Sequence, residues 1–163
     1  MGLRVRFCAE QRVKGLAAAV AVLSLASCTS VVSVADAEMR PLGPAEHLSP
    51  EVHANYRVSL DISRDSLRTI VNGEVYMRAD IINCESHKYI TNSEPFLKNI
   101  RMASFDGIRS ELVKDTSTRF TLVGDIPDTP YHLIESACVT LSGSSYLLHR
   151  IRSNTVRIKH VQL

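Results

Sequence analysis

The 163-residue chain has no tryptophan and only four cysteines. Its six histidines, His47, His53, His87, His132, His149 and His160, form neither an H-x-x-H nor an H-E-x-x-H pattern, and no two cysteines are spaced C-x-x-C. The ligand spacing that preforms a zinc site is therefore missing. A G-x-S-x-G elbow and a glycine-rich phosphate loop are missing too, which removes the common sequence signs of a serine hydrolase or a nucleotide site. There is no internal repeat and no low-complexity tract. Past residue 28 no apolar run reaches the roughly 20 residues that a membrane helix needs. These absences leave no catalytic residue, metal ligand or cofactor to assign, and the expectation is a protein that is not an enzyme.

A basic domain is also lacking. The chain is formally +2, but residues 1–27 contribute +3 through Arg4, Arg6, Arg12 and Lys14 against Glu10, so the remainder carries −1. Nucleic acid is accordingly not an expected partner.

What is present begins at the N-terminus. A basic lead precedes the apolar run Leu16–Ala26, which is too short to span a bilayer. A basic segment followed by a short apolar helix reads as an export signal. It ends in Leu25-Ala26-Ser27-Cys28, an aliphatic residue and two small ones before a cysteine. This resembles the lipobox of bacterial lipoproteins. The resemblance implies cleavage before Cys28 and acylation of Cys28, with the lipid bilayer as first partner. By the same resemblance, Thr29 in place of Asp after the cysteine favours the outer membrane, facing the periplasm. Ala35-Asp36-Ala37 offers a second cut, before Glu38, that would release a soluble periplasmic protein.

Three segments follow from this: a signal helix (1–27), a lipidated cysteine with a flexible tether (28–55) and a β-sandwich domain (56–163). Pro41, Gly43, Pro44 and Pro50 punctuate the tether, whose reach as a flexible chain would be roughly 25–30 Å. Glu46, His47, Glu51 and His53 cluster within it; they read as solvated surface groups, with a soft metal site as the alternative.

From Tyr56 onward apolar and polar residues alternate. Val58, Leu60 and Ile62 form one half-buried face, Val75, Met77, Ala79 and Ile81 a second, and Glu74, Arg78 and Asp80 take the opposite side of that second strand. Leu67–Val71 runs into Asn72-Gly73, and Phe96–Phe105 into Asp106-Gly107, both hairpin signals. Phe120 and Leu122 alternate next, then Leu133–Leu141. Asp125 and Asp128, beside Pro127 and Pro130, read as turn residues, and the prolines argue against a central strand there. Tyr146–Arg152 and Thr155–Val161 form a last expected hairpin through Ser153-Asn154. The predicted core adds Val139, Leu141, Val156 and Ile158. Short strands at even spacing indicate an all-β sandwich. The closing ACVTLSG (137–143) and IRSNTVRI (151–158) resemble the last two strands of immunoglobulin- and fibronectin-III-like folds. That resemblance implies an Ig-like antiparallel β-sandwich.

With Cys8 lost and Cys28 lipidated, Cys84 and Cys138 remain to pair in an oxidising space. Both fall on the polar parity, so their bridge should tie Asn83–His87 to the Ile134–Leu141 strand near a sandwich edge and not cross the core. From Ser136 to Leu163 there is no acidic residue, while Arg150, Arg152, Arg157 and Lys159 are basic. They read as edge protection or as a docking ridge for an anionic partner. The functional expectation is a non-enzymatic envelope lipoprotein, a binding or assembly module with a protein partner in the envelope. The alternative is a periplasmic inhibitor or immunity protein that neutralises a toxin or a cell-wall hydrolase.

Overall fold

The computed structural model describes residues 29–43, 46, 48, 53–146 and 150–161. The expected signal segment (1–27) and Cys28 lie outside the described residues. Within them the chain is strand from its first residue. Strand β1 is Thr29–Val32 and β2 is Val34–Pro41. This corrects the expected tether: Val32, Val34, Ala37 and Met39 are core residues. An irregularity in register between Val34 and Asp36 explains why the buried positions step by three there and then by two. The chain stays bound after β2. Leu42 N–H donates to the Asn55 carbonyl (2.9 Å) and Leu48 N–H to the Asp125 carboxylate (2.7 Å).

Strand β3 (Ala54–Ser63) carries the expected alternation, with Val58, Leu60 and Ile62 buried. Two expected hairpins are instead helices. Helix α1 is Arg64–Asn72; the Ser63 hydroxyl accepts the Ser66 N–H as its N-cap, and Asp65 sits in the first turn. Leu67, Ile70 and Val71 are its buried face, a 3–4 spacing rather than a period of two. Gly73 caps the helix at φ −81°, and Glu74 takes the left-handed conformation at φ 47°. Strands β4 (Tyr76–Asn83), β5 (Tyr89–Ser93), β6 (Phe96–Leu97) and β7 (Ile100–Arg101) follow. The β6–β7 turn is Lys98-Asn99, both with positive φ (47° and 67°), as a two-residue hairpin of this type requires. Helix α2 (Phe105–Lys114) contains Asp106-Gly107 and buries Ile108 and Leu112. Arg64 ties the helices together by donating to the Leu112 and Asp115 carbonyls at the end of α2.

Strand β8 (Arg119–Pro127) extends further than its prolines indicated. Pro127 is its last residue, beyond the reach of β6, so no ladder donor is missed. Asp125 is no turn residue. It lies buried on β8, paired with Arg57 at 2.7 Å. A single helical turn, α3 (Tyr131–Ile134), replaces the first half of the expected 133–141 strand, which starts only at β9 (Ala137–Ser144). The chain closes with β10 (Arg150–Ser153), β11 (Val156–Arg157) and β12 (Lys159–His160).

The fold is mostly β, in two facing sheets that do not close into a barrel. The first runs β1-β10-β9-β4-β5, with β11 also on β9. The second runs β12-β2-β3-β8-β6-β7. They are mixed, which corrects the antiparallel expectation: β1–β10 and β12–β2 are parallel pairs. The last hairpin does not form. The segment 150–160 instead passes from the first sheet to the second, and 29–41 crosses beside it in the same direction. Polar side chains fill the ladder at the crossing. Asn154 Oδ1 accepts the Val34 N–H and its Nδ2 donates to the Val34 carbonyl, both at 2.9 Å. Ser153 Oγ accepts the Leu141 N–H at 2.8 Å. At the other side β5 leads into β6 over Gly124, where a Cβ would lie 2.2 Å from Ser93 Oγ. Every predicted core residue is buried except Val156, which is half-buried.

Candidate functional site

The sequence-predicted site residues scatter. Cys28, the expected lipidation position, is outside the described residues. Cys84 and Cys138 are bonded, with Cα atoms 5.0 Å apart. The bridge lies on the outer-face parity of the first sheet, linking the turn after β4 to the start of β9, where Cys138 stands opposite Ile82 and is itself buried. It joins neighbouring strands and leaves the inter-sheet core untouched, as its polar parity indicated. It lies at one end of an interior strand and not at a sheet edge.

The basic ridge divides. Arg150 and Arg152 point outward from β10. Arg157, on β11 opposite Cys138, is at the far end of β9. Lys159 belongs to the second sheet, where its ammonium lies 2.6 Å from Asp36. That hydrogen bond holds the Asp36 carboxyl below its ordinary range and raises Lys159 above its own. Lys159 is thus engaged, while Arg150, Arg152 and Arg157 have no carboxylate partner among the described residues.

Alternation along three adjacent strands builds a concavity of about 1030 Å³ on the outer face of the first sheet. β4 supplies Tyr76, Arg78 and Asp80, β9 supplies Thr140, Ser142 and Ser144, and β10 supplies Arg150 and Arg152. Register sets the rows. Tyr76, Ser144 and Arg150 are level, and Arg78, Ser142 and Arg152 form the next row. Three arginines therefore face one carboxylate. Asp80 is largely buried; it accepts the Ser142 hydroxyl, and Arg78 Nε lies 2.8 Å from its second oxygen. The Arg78 N–H itself points to Ser142 Oγ at 3.3 Å.

One end of the concavity is aromatic. Tyr76 meets Phe105 edge-on at 5.3 Å and Tyr146 at 5.5 Å. The Tyr146 hydrogen bond, burial and nearby Glu74 raise the Tyr76 phenol above its usual value. Tyr89 and His87 line the opposite end. Sequence reasoning missed Tyr76, Tyr89 and Ser142, and placed Arg78 only on a polar strand face. The alternation of β4 marked that face, but nothing local states that β9 and β10 lie beside it.

Such a face can bind and orient an anion through guanidinium groups. Among the described residues, no three His, Cys, Asp or Glu side chains gather to hold a metal. The chain matches no known protein family, no curated protein and no solved structure.

Proposed function

We propose that the protein is an acyl-anchored, non-enzymatic binding module of the bacterial envelope, held at the periplasmic face of the outer membrane. Its contact surface is the outer face of the first sheet, and its partner there is anionic. The observation that carries it is the pair Arg150 and Arg152, which have no carboxylate partner among the described residues, beside Arg78 in a concave face of a chain that is formally −1 after residue 27.

The start of the fold supports the anchor. Thr29, the residue after Cys28 in the chain, already lies in a strand. Cleavage before Glu38 would remove β1 and the first half of β2, with the buried Val32, Val34 and Ala37.

Two measurements test the proposal. A metabolic fatty-acid probe should label the wild type and not Cys28→Ser; an unlabelled chain with Glu38 at its N-terminus removes the anchor. On a phosphate-bearing matrix, Arg150→Glu/Arg152→Glu should elute at clearly lower salt than Arg101→Glu/Arg157→Glu, which changes net charge equally. Equal elution would move the binding surface elsewhere.

A further inference from the structure

We propose that the end of the first sheet carrying Arg150, Tyr76 and Tyr146 docks on the anionic phospholipid headgroups of the bilayer that holds the acyl chains. This rests on the anchoring at Cys28 argued above and names the anionic partner of the same face.

Distance is the first argument. Consecutive Cα atoms are about 3.8 Å apart, so an acylated Cys28 is one step from Thr29. Thr29 is already in β1 and pairs with Arg150 on β10. A flexible tether would have let the domain stand roughly 25–30 Å away. None separates Cys28 from the sheet, so whatever surrounds Thr29 lies at the membrane surface.

What surrounds it is the second argument. Neighbouring strands are about 4.8 Å apart. The row level with Thr29 runs through Arg150 and Ser144 to Tyr76. Arg152 and Arg78 stand one row above, about 7 Å along the strands. The headgroup layer on each side of the hydrocarbon is about 5–8 Å thick. Guanidinium groups from both rows therefore reach lipid phosphates, the geometry arginine suits best. Tyr146 is 88 % exposed and meets Tyr76 edge-on, and Val31 is 80 % exposed on β1. Tyrosine prefers the headgroup level of a bilayer. Two carboxylates stand beside the aromatic end of this row, Glu74 and Asp106, and Arg109 holds both, at 2.9 and 2.7 Å. Asp80 is set against Arg78.

Arg157 supplies the internal control. It pairs with Cys138, six residues along β9 from Ser144, and so stands about 20 Å from the Arg150 row. Its charge should not matter.

The experiment uses the mature acylated protein in lipid nanodiscs. The chain has no tryptophan, so Tyr146→Trp gives a unique reporter in every sample. Quenching by lipids brominated near the headgroup should be stronger with phosphatidylglycerol present than in phosphatidylcholine alone. Arg150→Glu/Arg152→Glu should abolish the difference at unchanged melting temperature, and Arg157→Glu should leave it intact. Each arginine contributes roughly fivefold to the population at an anionic surface, so the pair accounts for roughly 25-fold. Equal quenching in both lipids, or an Arg157→Glu effect as large as that of the pair, overturns the docking. Intact mass on the same sample reads the anchor separately. An acylated chain without lipid-dependent quenching keeps the anchor and leaves the arginines to an acidic protein; an unacylated mature chain overturns anchor and docking together.

Discussion

Asn154 shows how much one side chain carries in this fold. Two strands cross between the sheets side by side, and a regular backbone ladder cannot follow both through the crossing. The Asn154 amide stands in for a backbone peptide, accepting from and donating to Val34 at 2.9 Å each. Asn154→Ala leaves both Val34 groups without a partner in a partly buried place. The expected cost is about 1–3 kcal/mol, read as a lower urea midpoint at unchanged m-value. In sequence, Ser153-Asn154 looked like a turn, because asparagine suits turns. Its use here depends on a residue 120 positions away.

At the scale of elements, the disulfide and the two helices behave oppositely. The Cys84–Cys138 pairing was legible, since it needs only a count of cysteines and an oxidising address. It closes a separation of 54 residues. Replacing both cysteines by alanine should lower stability by about 4 kcal/mol in the chain-entropy view. Denaturation with and without reductant should show the same loss in the wild type and none in the variant. The two helices stand where the turn dipeptides predict hairpins. Asn72-Gly73 and Asp106-Gly107 are strong turn dipeptides only when strands flank them. Ser63 as N-cap and the spacing of Leu67, Ile70 and Val71 were the competing signals, and they prevail because that face packs on the core. Gly107 serves packing: a Cβ there would lie 3.0 Å from Ile100 Cγ2.

At the scale of the whole molecule, the fold depends on its first strands. Val32 and Val34 are each 2 % exposed, and burying a valine contributes about 1.5–3 kcal/mol. β1 also covers the edge of β10, and β2 joins β12 to β3. Against a total stability of about 5–15 kcal/mol, their loss is severe. A chain beginning at Thr29 is expected to melt cooperatively. One beginning at Glu38 is expected to show neither a cooperative transition nor native β circular dichroism. Equal melting of the two would restore the cut before Glu38 as compatible with the fold.

The sequence by itself determined what is local. Alternation in 58–62, 75–81, 120–122 and 139–141 marked the inward side chains, because a period of two belongs to each strand regardless of its neighbours. Tertiary structure alone decided neighbourhood. Residues 29–41 look like a proline-ended tether until 150–160 runs parallel beside them, over a hundred positions later. Arg78 becomes part of a cationic face only because β9 lies between β4 and β10. Strand order is a choice among long-range pairings of nearly equal local fitness, and the burial of one shared core selects among them.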